Sequence, residues 1–307
     1  MGRSYAVSAA YIGKTGRKLI AYRPFNAAPF IPGVDAQGRP LSTEANAGSR
    51  APFLPGIYGT EGIYLDNSFT SAFHSVQVEV NKRFANGLQF TSSYTVGKSI
   101  DSSSTTTLGG CLSNPFDVRS DRGRSDFDRR HAFVFSGFWS PGVMADQRGL
   151  LGRIFGGWTA SGFQTVQSGA PVTPASGQNT ALDGNLCGGS SIHPDQIGKI
   201  ERSHSSRADM VMNFFNRDAF VLPGIGRYGT AGRNIFSGPA TVSTDFAVLK
   251  NFRVLEQQAL QFRAEFFNVF NNVNFNNPVA TLSSATYGRI TGAQAGRAIQ
   301  FGLKYIW

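Results

Sequence analysis

Apolar side chains recur at every second position in one stretch of this chain after another, and that period of two limits its fold more than any other feature. In a strand successive side chains point to opposite faces, so such alternation gives each strand one apolar and one polar side. In the closing residues "QFGLKYIW", Trp307, Tyr305, Leu303 and Phe301, with Ile299 before them, share one face, while Lys304, Gly302 and Gln300 share the other. "LQFRAEFFNVF" sets Leu260, Phe262, Ala264, Phe266 and Phe270 against Gln261, Arg263 and Glu265. "SVQVEVNKRF", "LQFTSSYTV" and "RSYAVSAAYIG" alternate in the same way, and "KLIAYR", "HAFVFSGFW", "WTASGFQTVQS" and "TVSTDFAVLKNF" do so more weakly. Nine strands are expected in all. The 36 glycines and 26 phenylalanines, against only 16% charged residues, agree with strands and turns rather than helices.

Two architectures share this pattern. In a soluble sandwich the apolar faces meet in a core and the polar faces are wet. In a membrane β-barrel the apolar faces meet lipid and the Gln, Thr, Arg, Glu and Asn faces line a wet interior. No apolar run reaches the roughly 18 residues of a transmembrane helix, which leaves a barrel open. The connections favour the barrel. Along the nine strands they are "GKTG", residues 24–71, "ANG", 101–130, about 141–152, 169–239, "LEQQ" and 271–297, so short and long alternate. Bacterial barrels have short turns on one side and long loops on the other, and structureless loops this long are rare in compact soluble domains.

Other classes are narrowed by charge and cysteines. The formal charge is +10, but Lys and Arg are scattered and form no basic stripe, so nucleic acid is not an expected partner. Cys111 and Cys187, 76 positions apart, exclude a CxxC pair; they form a disulfide or remain two unrelated thiols, and because both fall in long loops on one side, a disulfide is favoured. "MGRSYAVSAAYIGKTGRKL" shows no secretory signal. An odd strand count without a signal leads to the expectation that the front of the protein is missing.

The ending resembles the β-signal by which outer-membrane proteins are handed to the barrel-assembly machinery, with Gln300, Gly302, Tyr305 and Trp307 in the motif positions. The segments "SVQVEVNKRFANGLQFTSSYTVGKSID", "RSDFDRRHAFVFSGFW", "GGWTASGFQTVQSGAPV", "YGTAGRNIFSGP", "LQFRAEFFNVFNNVNFNNP" and "YGRITGAQAGRAIQFGL" are similar, in order and spacing, to the C-terminal barrel of Oar-like TonB-dependent receptors, the group with an N-terminal carboxypeptidase-regulatory-like domain. The resemblance implies that residues 1–307 are the C-terminal part of a plugged barrel of about 22 strands, lacking the regulatory-like domain, plug and TonB box.

Among candidate sites, "DVRSDRGRSDFDRRH" packs Asp117, Asp121, Asp126 and Asp128 among Arg119, Arg122, Arg124, Arg129 and Arg130 before His131. Its plain reading is an ion-paired loop leading into a strand. Its alternative is a ligand-gripping loop, for which Asp126, Asp128, Arg129 and Arg130 are the candidate contacts. His74, His131, His193 and His204 are dispersed, without metal spacing. No GxSxG elbow supports a hydrolase. "NVFNNVNFNNP" supplies turn geometry, and "ALDGNLCGG" only faintly resembles a calcium loop. The expectation is an all-β partial barrel of nine or ten strands in the outer membrane, non-catalytic, with no cofactor or metal. Its partners would be lipid, the assembly machinery, TonB through a plug, and an imported substrate. A small passive porin or adhesin, and a soluble β-sandwich binding module, are the alternatives.

Overall fold

The structure is a computed structural model and describes residues 4–53, 62–104, 112–184, 192–202, 204–255 and 258–307. Its framework is a single antiparallel sheet of eight long strands: β1 Tyr5–Pro24, β2 Ile63–Ala85, β3 Leu88–Asp101, β4 His131–Trp139, β5 Trp158–Gln167, β6 Thr241–Leu255, β7 Gln258–Phe267 and β8 Ala298–Ile306. They lie side by side in chain order. A two-residue strand, Gly123–Arg124, pairs with the outer end of β3.

Register turns the alternation of each strand into two continuous surfaces. Leu260, Phe262, Ala264 and Phe266 of β7 stand opposite Tyr305, Leu303, Phe301 and Ile299 of β8. The same face continues through Phe246 and Val248 of β6, Tyr94 and Val96 of β3, Val76 and Val78 of β2, and Tyr11 and Ala9 of β1. The other face is polar and hydrogen-bonds across strands: Gln77 donates to Ser93 at 3.0 Å, Thr91 to Asn81 at 2.6 Å, and Gln261 to Asn251 at 2.9 Å. A one-residue slip would exchange the two faces along a whole strand, so the pattern fixes the register.

The β2–β3 turn has Asn86 and Gly87 at φ 53° and 76°. Two positive φ values make the tight hairpin turn for which Asn-Gly is preferred. A Cβ on Gly87 would also run into the Ser140 carbonyl oxygen.

The first two of the nine expected strands are one. "GKTG" makes no turn; β1 runs through it, and its register against β2 shifts between Gly16 and Leu19 and again between Leu19 and Ala21. A β-bulge absorbs an extra residue by bending the strand, which is why turn-type residues here interrupt pairing without reversing the chain. Lys18, at φ 54°, takes the strained position. β2 also begins at Ile63, so the first long loop is 25–62. The count of long strands is therefore eight rather than the expected nine, and Tyr5, opposite Lys82, and Ile306, opposite Ala259, both lie at the short-turn end.

A sandwich requires a second sheet over the apolar face. The other ladders among the described residues are two-residue pairs, Pro171–Val172 with Phe236–Ser237 and Asp195–Gln196 with Phe220–Val221. Phe301 and Leu303 accordingly remain 66% and 69% exposed. The hydrogen-bonded order ends at β1 and β8 without a ladder between them.

The buried core sits in the loops. Phe215, 2% exposed, packs its ring 5.0 Å from Phe236, 5.3 Å from Tyr287 and 6.2 Å from Phe220, and Val172, Phe214, Ala219, Ala231 and Ile290 complete the buried cluster. The described residues of loops 168–240 and 268–297 thereby share one core. Each buried phenylalanine contributes roughly 1.5–3 kcal/mol. A smaller cluster, Ala21, Phe69 and Leu112, seats loop 102–130 against β1 and β2.

Candidate ligand-binding face at the loop end of the sheet

β1 and β2 are 20 and 23 residues long, about twice the 9–11 that a tilted strand needs to cross a hydrocarbon layer. Their outer halves stand clear of such a layer and, with loop 102–130, enclose a cleft of about 510 Å³. Arg23, Ser68, Thr70, Phe116, Arg119 and Arg122 are among its walls.

Arg23 is fixed by Asp66 at 3.1 Å and by the Pro115 carbonyl at 3.1 Å. Arg122 donates to Thr70 Oγ1 at 2.6 Å. Asp117 caps the 3-10 turn Val118–Asp121 by accepting from the Arg119 backbone N–H, which holds the Arg119 side chain at the mouth. Among the described residues the Arg119 guanidinium has no hydrogen-bond or ion-pair partner. Guanidinium groups beside hydroxyls and an aromatic face suit an anionic, oxygen-rich ligand, because a planar fork of N–H donors matches carboxylate or phosphate oxygens. The volume falls within the usual range of small-molecule sites.

Arg233 clamps the loops together. Its Nε donates to the Asp121 carbonyl at 2.9 Å, Nη1 to Asp126 Oδ1 at 3.1 Å and to Ser104 Oγ at 3.2 Å, and Nη2 to the Asp101 carboxylate. Asn234 donates to Asp126 at 2.6 Å and to the Arg124 carbonyl at 2.7 Å, and Arg124 donates to Ser237 at 2.8 Å. Two segments more than a hundred residues apart, "RSDFDRRH" and "GRNIFSGP", thus meet side chain to side chain.

Asp121 and His193 are both almost fully buried, with Nε2 3.6 Å from Oδ1. Burial pushes the Asp121 carboxyl up to about 6, against the opposing Ser113 N–H. Burial likewise holds His193 down at about 4. Loss of hydration penalises the charged form of each, so the pair is neutral between those values.

The four expected loop contacts separate. Asp128 is buried, with its carboxylate taken by the Ser99 N–H at 2.7 Å and Arg124 Nε at 2.8 Å. Asp126 is outward but bound to Arg233 and Asn234. Arg129 donates to the Asp128 carbonyl at 3.0 Å. Arg130 is exposed, and among the described residues its guanidinium has no partner. Cys111 and Cys187 lie outside the described residues. Gln300 and Gly302 pair with Glu265 and Arg263, Tyr305 with Leu260, and Trp307, 86% exposed, leans toward Tyr305 with ring centroids 6.1 Å apart. Sequence reading missed Arg233 and the Arg23–Arg119–Arg122 cleft; the one available signal was the Gly-Arg-Asn of "YGTAGRNIFSGP", an invitation to ask which acids it meets.

Residues 1–300 match the family described as "Outer membrane beta barrel domain". Among solved structures with a matching fold is the outer membrane transporter YddB from Escherichia coli, with a TM-score of 0.50 and 10% identity over 100% of this chain and 31% of that one. The chain therefore spans about a third of that transporter's length. Comparison with the curated proteins finds no match.

Proposed function

The chain belongs to the outer-membrane β-barrel domain family and resides in the outer membrane, and on that premise we propose that it forms part of the wall and the outer ligand-binding loops of a TonB-dependent receptor of the Oar-like type. In this reading the apolar face meets lipid, the polar face lines the lumen, and the loops around the Arg119 cleft receive an anionic substrate too large or too scarce for porins. Uptake is driven by TonB through a plug segment outside these 307 residues. The chain binds and passes its ligand without a chemical step or cofactor, and Gln300, Gly302, Tyr305 and Trp307 address it to the assembly machinery.

The observation that carries the reading is the open sheet. Eight strands suffice to close a small barrel, yet β1 and β8 are not paired with each other. Unpaired edges are a liability that barrels abolish, so an arc of a larger barrel accounts for them. The strand number itself favours a second reading, a small passive porin or adhesin closed between β1 and β8.

An immunoblot of fractionated native cells, with an antibody to residues 298–307, tests both. A heat-modifiable outer-membrane band several times the 33.1 kDa of this chain supports the receptor. A heat-modifiable band of the chain's own mass refutes it in favour of the small barrel.

A further inference from the structure

Lys98 lies on the apolar face of β3, two residues beyond Val96 and opposite His74 of β2. Ten residues separate it from Leu88 at the short-turn end. At about 3.3 Å per residue and a tilt of about 45°, that is roughly 23 Å along the membrane normal, close to the ~25 Å height of a barrel's apolar band. Lys98 therefore sits where outer-leaflet hydrocarbon gives way to headgroups. Arg130, just before β4, lines the same cleft of about 240 Å³ with Lys98, Tyr11, His74, Val76 and Val96.

The cleft is charged and uncompensated. Among the described residues neither the Lys98 ammonium nor the Arg130 guanidinium has a hydrogen-bond or ion-pair partner. The nearby acid, Asp128, is already held by Arg124 at 2.8 Å. The Tyr11 hydroxyl and His74 Nδ1 are hydrogen-bonded at 2.7 Å with the rings stacked at 22°. Tyr94 repeats the arrangement with His131, at 2.7 Å and 19°. Each imidazole is thereby held through Nδ1, which leaves Nε2 to meet a ligand. Below the cleft the face is apolar through Val76, Val78 and Phe133, a path for acyl chains.

We propose that this patch seats the phosphate of an outer-leaflet lipid headgroup, gripped by Lys98 and Arg130 and by the His74 imidazole that Tyr11 orients. Height selects the headgroup layer, the face selects lipid over lumen, and two unpaired cations select an anion with several acceptor oxygens. The patch is independent of the receptor reading, since any outer-membrane barrel of this sheet would carry it.

The test uses the protein extracted intact from native outer membranes into neutral detergent, with bound lipid counted by native mass spectrometry. Mixed micelles supply lipid A, a bis-phosphorylated lipid, or its dephosphorylated form, and a third arm supplies inorganic phosphate alone. Each cation near an anionic lipid surface contributes roughly fivefold, so Lys98→Gln with Arg130→Gln should weaken lipid A binding about 30-fold. Lys304→Gln, on the lumen face, should change nothing. The single variants, about fivefold each, keep the question open to test if the double variant fails to fold. Unchanged lipid A binding in folded variants overturns the proposal. So does equal binding of the dephosphorylated lipid, or saturation by inorganic phosphate alone.

Discussion

Replacing Phe262 by Arg tests the assignment of the two faces, on which the membrane reading stands. Phe262 is the fifth of the ten residues of β7, so it lies near mid-height. Its ring stacks on Phe301 at 6.1 Å and 18°, and its cross-strand neighbours are Leu303 and Lys250. A guanidinium facing lipid at the midplane costs roughly 2–4 kcal/mol. Loss of the aromatic pair adds roughly 0.5–1.5 kcal/mol. Phe262→Arg should therefore destabilise by about 3–5 kcal/mol. The matched control is Ala247→Arg, on the polar face opposite Glu265 and Ser161. There the new charge meets lumen water and a carboxylate, and the change should stay within about 1 kcal/mol. Urea unfolding in phospholipid vesicles, followed by tryptophan fluorescence and by the heat-modifiable shift, measures both. If the two variants cost the same, or Ala247→Arg costs more, the apolar face does not face lipid.

Two further outcomes follow from buried groups. His193, held down at about 4 from an ordinary 6.5, contributes stability that is full above pH 6.5 and lost as pH falls toward 4. Asp121, raised to about 6 from 3.8, contributes in the opposite sense, with stability present below pH 3.8 and lost as pH rises to 6. The two nearly cancel between pH 4 and 6, so wild-type loop stability should be flat there. Asp121→Asn should instead lose on the order of 3 kcal/mol between pH 6.5 and 4, as protonation of the unfolded chain's His193 is no longer offset by Asp121; limited proteolysis of the loops against pH reads this, and a flat variant refutes it. Lys250 stands on the apolar face, opposite Phe262 and Trp158. Its ammonium donates to the Ile154 carbonyl at 3.1 Å and to that of Gly156, over the Trp158 and Phe252 rings at 4.9 and 5.2 Å. It thereby docks the short helix Gly149–Phe155 onto the sheet, and Lys250→Met should release that helix at a cost of about 2 kcal/mol, seen as faster tryptic cleavage at Arg148 and Arg153 while the barrel stays heat-modifiable.

The strands were legible because the signal is local. Phe262, Ala264 and Phe266 declare their face whatever they later pair with, and Asn86-Gly87 declares its turn. "GKTG" misled because the same residues that reverse a chain also form a bulge. The choice between them depends on whether β2 continues alongside, which the residues of β1 do not encode. The Arg119 cleft and the Arg233 clamp were not legible for a related reason: Arg233 reaches Asp101 across 132 positions and Asp126 across 107. Each acid taken alone is indistinguishable from a solvated loop charge.

The sequence by itself determined the two-faced strands, their approximate number and the alternation of short and long connections, since the physics of a strand is set by neighbours two positions apart. Only the tertiary structure decided that the hydrophobic core lies in the loops rather than behind the sheet, which acids are buried by Arg233, and that Lys98 and Arg130 share one outward cleft. Those outcomes depend on which distant segments meet, and a buried charge acquires its partner and its altered proton affinity only once that meeting excludes water.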